Sequence, residues 1–210
     1  MAERYPILTI GHSKHTLPRF IALLQGAHVT AVADVRSAPV SRFSPHFNKD
    51  RLAASLAQFG MAYVFLGKEL GGRPELPDLF TGGVADYEKM AALPSFRSGL
   101  ERLIAGAEGH RIAVMCAEAD PLDCHRCLLV GRALAGEGVE LGHILASGEV
   151  VSQAEIEDRL LDLAGLADGD LLAASRDERL AAAYRARAGK TAYAERKSPV
   201  SAKGGTARRD

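Results

Sequence analysis

Short apolar runs of strand length alternate with amphipathic helical patterns along most of the chain. Five runs have the composition of strands; they span residues 7–10, 29–35, 61–66, 111–115 and 139–145. The second run is β-branched and nearly unbroken, as a strand covered on both faces should be. The alternation predicts a single α/β domain with a mostly parallel sheet of about five strands flanked by helices, in a Rossmann-like three-layer arrangement.

Helix-start signals delimit the segments between these strands. Thr16 is a good N-cap for the first helix, and Ser152 and Glu155 resemble a capping box that opens the last one. The other helices are predicted over residues 48–58, 84–92, 95–107 and 124–135.

The C-terminal end of the chain differs in composition from the rest. Residues 185–210 contain eight Lys/Arg and two acidic residues, a net charge of +6, so the first 184 residues carry −6. A basic segment without apolar periodicity is typical of a disordered tail, either simply solvated or weakly bound to nucleic acid. We therefore expect a compact α/β domain over residues 1–168, a helical extension over 169–188 and a basic, disordered tail over 189–210.

The composition also excludes several classes of protein. The longest apolar runs are far shorter than the roughly 20 residues that cross a bilayer, and the N-terminus has no signal pattern. Three cysteines clustered near one turn indicate reduced thiols rather than a disulfide framework. We expect a cytoplasmic protein with no membrane partner.

Polar and charged residues cluster directly after the first four predicted strands. They are His12 and Ser13, Asp34 and Arg36, Glu69 and Arg73, and finally Cys116, Glu118, Cys124, His125 and Arg126. Parallel strands bring their carboxyl ends to one edge of the sheet, where ligands bind in open α/β folds. We therefore expect the four loops to converge on one crevice.

The loop after the fourth strand ends where a helix begins, which favours an anion. Free N–H groups and the positive end of the helix dipole face the crevice there. Arg126 can add a bidentate contact to phosphate or carboxylate; an arginine in a first turn opposes the dipole and needs such a reason. The same location lowers the pKa of a thiol, so Cys124 is a candidate nucleophile or metal ligand; the alternative is a small buried residue.

Residue types suggest the roles within this crevice. Asp34, Glu118 and His12 are candidates for proton transfer and Cys124 for the nucleophile, although ion pairs to arginine explain the two carboxylates equally well. Several arginines at one edge of an acidic domain suggest an anionic ligand. The expected substrate-binding residues are Ser13, Arg36, Arg42, Glu69, Arg73, Cys116, His125 and Arg126.

Known thiol patterns fit this region poorly. The cysteine-phosphatase loop, in which an arginine follows the thiol at a fixed spacing, is absent. Cys124 and Cys127 form a C-x-x-C, but Cys127 would lie one turn into a helix beside an apolar run. We expect no metal and no cofactor, although Cys116, Cys124, His125 and His12 could meet in space.

Four ordered motifs have a counterpart in a known family. They are Thr9-Ile10-Gly11-His12-Ser13; Asp34-Val35-Arg36 with Pro39, Ser41-Arg42-Phe43, Pro45 and Phe47-Asn48; Leu66-Gly67 with Leu70-Gly71-Gly72-Arg73; and Cys116-Ala117-Glu118 with Pro121 and Cys124-His125-Arg126. Together they resemble the domain of unknown function 488 family over residues 7–146. The resemblance implies a compact α/β fold with a shared site and says little about the reaction.

Three functions are compatible with these features. The leading hypothesis is an enzyme, a hydrolase or transferase, that acts on a phosphorylated, nucleotide or nucleic-acid-derived substrate. The second is a non-catalytic module that binds a nucleotide or nucleic acid with help from the basic tail. The third is a redox protein based on Cys116 and Cys124, which flank one loop.

Overall fold

The computed structural model describes residues 5–167 and 174–195. The strands are β1 (Ile7–Gly11), β2 (Ala31–Asp34), β3 (Ala62–Phe65), β4 (Phe80–Thr81), β5 (Val84–Ala85), β6 (Ile112–Cys116), β7 (Leu141–Ile144) and β8 (Val150–Ser152). Six of them form one sheet in the order β3-β2-β6-β1-β7-β8, in which only β8 is antiparallel to its neighbour. The strands β4 and β5 pair separately as a hairpin.

Helices cover both faces of the large sheet. They are α1 (Leu17–Gly26), α2 (Lys49–Gln58), α3 (Gly67–Leu70), α4 (Tyr87–Ala91), α5 (Pro94–Ala107), α6 (Arg132–Gly136), α7 (Gln153–Ala164) and α8 (Arg176–Thr191). Apolar residues of α1 and α2 pack on one face, and those of α4, α5, α7 and α8 contribute to the core on the other. The predicted three-layer α/β fold is confirmed. Within residues 5–167 and 174–195, no helix is long and apolar enough to cross a membrane.

The chain between β3 and α5 differs from the prediction. A helix was expected from residue 84, whereas Val84 and Ala85 form a strand and the helix begins at Tyr87. Gly82 and Gly83 both have positive φ, so they allow the tight turn that brings this strand back against β4. Asp86 then accepts hydrogen bonds from the first N–H groups of α4 as its N-cap.

The helix after β6 is also less regular than predicted. Cys124 has extended backbone, and the helix proper starts with a π-helical segment, Arg126–Gly131, before α6 continues it. Such widened turns are rare and occur frequently at functional sites. Cys124 therefore stands at the helix start, with its sulfur accepting the main-chain N–H of Arg126 at 3.4 Å.

The C-terminal segment is part of the fold up to residue 195. The expected tail begins at residue 189, but α8 continues to Thr191, and the main chain of Tyr193 and Glu195 bonds to Ala85 and Gly83. These contacts require only main-chain groups, so apolar periodicity did not reveal them. The rest of the expected tail, residues 196–210, lies outside the described residues.

A chain of buried hydrogen bonds connects the sheet to α7 and α8. Thr9 bonds to His143 Nδ1 at 2.8 Å, and His143 Nε2 bonds to Gln153 Oε1 at 2.8 Å. Gln153 Nε2 in turn donates to the Tyr184 hydroxyl at 2.6 Å. Burial lowers the pKa of His143 to about 4, so the imidazole is neutral at neutral pH.

Candidate functional site

A crevice of about 170 Å³ opens at the carboxyl ends of the parallel strands. Arg36 follows β2, Arg73 follows β3, and Cys116, Glu118 and His125 belong to β6 and its loop. Three of the four predicted loops thus line one cavity, as expected for the strand ends of a parallel sheet. The loop after β1 lies behind it.

Four chemically reactive side chains meet at the base of this crevice. Cys116 Sγ lies 3.5 Å from His125 Nδ1, and the Cys124 thiol lies 3.0 Å from Glu118 Oε2. One ligand atom from each of these residues falls within 4.8 Å of the others. We call these four residues the thiol–imidazole–carboxylate cluster; their geometry is able to hold a metal ion.

The His125 ring is fixed in one orientation. Its Nε2 lies 2.9 Å from the carbonyl oxygen of Val35, which can only accept, so Nε2 carries a proton and Nδ1 faces the sulfurs. Gly72 packs against this ring so closely that a Cβ there would lie 2.7 Å from His125 Cγ. The Gly71-Gly72 pair of the loop after β3 therefore has a steric role in the site.

Burial and contacts within the cluster shift the pKa values of its two thiols in opposite directions. Burial and the neighbouring Cys124 raise the pKa of Cys116 well above its usual value. Burial also acts to raise the pKa of Cys124, but a hydrogen bond from Cys116 and the positive charges of Arg126 and His125 bring it well below the usual value. The pKa of His125 is raised despite burial, because its partner is Cys124. Negative charge in the cluster therefore concentrates on Cys124.

Access from the crevice differs among the cluster members. Glu118 is exposed and His125 half-buried, and both line the crevice together with Cys116. Cys124 is buried and lies behind them. The structure thus favours the interpretation of Cys124 as a buried group over its interpretation as a nucleophile.

Arg126 does not reach the crevice. Its side chain is 0% exposed, and its guanidinium donates to the carbonyl oxygens of Glu118 at 2.7 Å and Ala119 at 2.9 Å. Its Nε is buried without a hydrogen-bond partner. In place of the predicted contact with a bound anion, Arg126 ties down the loop that carries Glu118.

Asp34 and Arg36 form a buried ion pair. Arg36 Nε and Nη2 donate to the two carboxylate oxygens at 2.9 and 2.6 Å, and Nη2 also donates to the Phe47 carbonyl. The Tyr63 hydroxyl donates to Asp34 Oδ2 at 2.7 Å. Of the two interpretations of Asp34, proton transfer or ion pairing, the geometry matches the ion pair, which leaves one edge of Arg36 at the crevice.

His12 and Ser13 are not among the residues that line the crevice. His12 stacks on Phe47 at 4.3 Å, and its Nε2 lies 3.3 Å from Arg36 Nη1. Burial and the Arg36 charge lower the pKa of His12 to about 4. Ser13 has a positive φ of 45° and bonds through its main chain to Ala117. These two residues support the site and do not line it.

Two further predicted site residues are not brought to the crevice. Glu69 lies on α3 and forms an ion pair with Arg102 of α5 at 2.5 Å. Arg42 is exposed and lies outside the crevice lining. The short helix α3 directs Glu69 towards α5 and away from the crevice.

Several lining residues were not predicted as site residues, among them Asp123, Tyr87, Thr191 and Tyr193. Tyr87 begins α4, while Thr191 and Tyr193 come from the C-terminal segment, and the Arg73 guanidinium lies 5.3 Å from the Tyr193 ring. Tyr193 reaches the site because the segment after α8 pairs with β5. No local motif marks such a contact.

Comparison with known proteins adds one finding. A family described as "Domain of unknown function DUF488" matches residues 16–133, more than half of the chain. No curated protein and no solved structure matches the sequence.

Proposed function

Since the chain belongs to the DUF488 family, whose description assigns no reaction, we propose from the crevice alone that it is an enzyme acting on an anionic substrate. The substrate class is a phosphorylated compound, a nucleotide or a nucleic-acid fragment, and the reaction is hydrolysis or group transfer. The observation that carries this proposal is one crevice that combines two arginines with two carboxylates, an imidazole and a thiol from three strand ends.

Arg73 is the main anion contact in this proposal. It is exposed on the crevice wall, and the edge of Arg36 adds positive charge behind it. The Asp34 carboxylate neutralises much of the Arg36 charge, so Arg73 supplies most of the attraction. Glu118 is the proton-transfer group, because its carboxylate is exposed where a substrate would lie.

A thermal-shift screen of nucleotides, phosphosugars and short oligonucleotides tests the proposal. A ligand present at 100 times its Kd stabilises the folded chain by about 2.7 kcal/mol, which raises Tm by roughly 5–10 °C for a domain of this size. Arg73→Ala should abolish the shift, and Arg42→Ala, the matched removal of an exposed arginine outside the crevice, should preserve it. Equal losses in both variants, or no stabilising anion at all, would contradict the proposal.

A second candidate function is thiol redox chemistry. The sulfurs of Cys116 and Cys124 lie within 4.8 Å of each other, whereas Cys127 is separate and fully buried. A peroxide would take two electrons and two protons from the pair, forming one disulfide and being reduced to water and an alcohol, or to water alone. Titration of the denatured chain should then detect three thiols before oxidation and one after; three in both states exclude this function. Such a pair suits a reducing cytoplasm, where we place the protein.

A further inference from the structure

The thiol–imidazole–carboxylate cluster brings together four side chains that can bind a metal ion, with one ligand atom from each within 4.8 Å of the others. Cys116 ends β6, Glu118 lies in the following loop, and Cys124 and His125 stand at the helix start. From this geometry we infer that the cluster binds a borderline-soft divalent metal ion, with Zn²⁺ the best match. The inference goes beyond the proposed function and does not depend on the nature of the substrate.

The distances fit a small four-coordinate ion. Zn–S bonds of about 2.3 Å and Zn–N or Zn–O bonds of about 2.0–2.2 Å place tetrahedral donor atoms roughly 3.3–3.8 Å apart. The separations here are 3.5 Å from Cys116 Sγ to His125 Nδ1, 4.0 Å from Cys124 Sγ to the same nitrogen and 3.0 Å from Cys124 Sγ to Glu118 Oε2. All pairs lie within 4.8 Å, so shifts of about 1 Å complete the site.

The outer contacts of His125 match those of a metal ligand. Histidines that bind metals through one ring nitrogen almost always donate the other N–H to a carbonyl or carboxylate, which fixes the tautomer and the ring plane. His125 donates Nε2–H to the Val35 carbonyl and directs Nδ1 at both sulfurs. The ligand nitrogen is therefore in position before any ion arrives.

Charge balance gives an independent argument. Two thiolates, one carboxylate and Zn²⁺ sum to a net charge of −1. Arg126 is fully buried beside the cluster, and the hydrogen bonds described for its guanidinium go to main-chain carbonyls. Its charge interacts with Cys124 and Cys116. The loaded cluster and Arg126 together are neutral, so a bound ion leaves no net charge in this buried region.

The ligand atoms of the cluster also indicate which metal ion it binds and whether the ion is structural or catalytic. Two sulfurs and an imidazole favour Zn²⁺ and disfavour Mg²⁺ and Ca²⁺, which require oxygen ligands. Three of the ligands are buried or half-buried, and the fourth, Glu118, is exposed at the crevice. A water molecule or a substrate oxygen can displace that carboxylate, as in sites where zinc is catalytic rather than structural.

Metal titration of the full chain after chelator treatment tests the inference. We expect one Zn²⁺ per chain by competition with a chromogenic chelator. Co²⁺ should give the strong visible absorption of a tetrahedral site together with a thiolate-to-cobalt band in the near ultraviolet. Cys116→Ser and Cys124→Ser should lose the thiolate band in part and weaken Zn²⁺ binding by more than the roughly 10–100-fold of an outer-shell change.

Cys127→Ala is the matched control, because Cys127 is a buried thiol outside the cluster. It should keep the stoichiometry and the cobalt spectrum. Glu118→Gln, a substitution at an exposed position that leaves the core intact, should keep both sulfur ligands and bind the ion more weakly.

Wild-type protein without stoichiometric Zn²⁺, or a cobalt spectrum that lacks the thiolate band, would overturn the inference even if the cysteine variants fail to fold. Arg73→Ala should abolish anion binding and leave Zn²⁺ binding unchanged. Failure of the metal inference can therefore be distinguished from failure of the anion proposal.

Discussion

Gly11→Ala is the most direct test of how the site is held in place. Gly11 ends β1 in register with Cys116, and a Cβ at position 11 would lie 1.8 Å from the carbonyl oxygen of Glu118. Ordinary contact begins at 3.4 Å, so the main chain of one segment must move by about 1.6 Å. The Glu118 oxygen belongs to the main chain and the Cβ is fixed by the main chain, so neither can move aside by a change of rotamer.

The energetic cost follows from the bonds that this displacement breaks. Arg126 donates to Glu118 and Ala119, and a hydrogen bond with a charged donor contributes about 1.5–3 kcal/mol. Loss of both predicts that the free energy of unfolding falls by about 3–6 kcal/mol, a large part of the roughly 5–15 kcal/mol of a typical domain.

Urea denaturation measures this loss, and the matched control is Gly26→Ala. Gly26 ends α1 with open space around its Cα, so the substitution there should be neutral or stabilise by up to about 1 kcal/mol. Gly11→Ala should also weaken Zn²⁺ binding, because the displaced loop carries Glu118. A Gly11→Ala protein with wild-type stability would show that Arg126 does not depend on this close approach.

Three further predictions concern the supports of the fold and the site. The pKa values of His143 and His12 are about 4 when folded and 6.5 when unfolded, so stability should fall as the pH drops from about 6.5 towards 4. Each histidine contributes a loss of about 2 kcal/mol at pH 5 compared with pH 7 in urea melts; a flat profile would refute the buried neutral imidazoles. Asp34→Asn should destabilise by about 3–5 kcal/mol in the same assay, because it leaves Arg36 buried and unpaired, and wild-type stability would contradict that role. Ser152→Ala removes the N-cap of α7, where Ser152 and Glu155 form a capping box, and should lower stability by about 0.5–2 kcal/mol by thermal melting, whereas no loss would mean that the cap is dispensable.

The strand pattern predicted the core of the fold because β1, β2, β6 and β7 are buried along their whole length and must be largely apolar, whereas the edge strand β3 is apolar but partly exposed. All five predicted strands are present and mutually parallel. The sixth strand, β8, is only three residues long and pairs with β7 alone, so it has no periodicity to detect. The β4–β5 hairpin was missed because its strands are two residues each.

The sequence predicted which loops approach the site, but only in part which of their side chains reach it. Arg36, Arg73, Cys116 and Glu118, which lie at or after the ends of predicted strands, line one crevice. The same argument failed for Glu69, because the short helix α3 pairs it with α5. Loop membership indicates which edge of the sheet a residue approaches, whereas the direction of its side chain depends on local turns and packing.

The thiol–imidazole–carboxylate cluster was anticipated only in part. The sequence allowed Cys116, Cys124 and His125 to meet in space, but with His12 as the fourth residue where the structure has Glu118, and the C-x-x-C spacing pointed to Cys127 as the partner of Cys124. In the structure Cys127 turns into the core, and the partner of Cys124 is Cys116, at the end of the preceding strand. That pairing depends on a strand and a helix start meeting in three dimensions. The adjacent Cys124-His125 dipeptide was the usable local signal.

The position of Arg126 at the start of a helix requires negative charge nearby, and the structure shows which groups supply it. An arginine in the first turn of a helix opposes the helix dipole, so some negative charge must justify its presence. The sequence suggested that this charge belongs to a ligand, but the buried guanidinium lies against loop carbonyls and beside Cys124 and Cys116. The negative charge that Arg126 balances is therefore the protein's own. It follows that substitution of Arg126 reports on the loop and the cluster, and that Arg73, which faces the open crevice, is the residue whose removal isolates substrate binding.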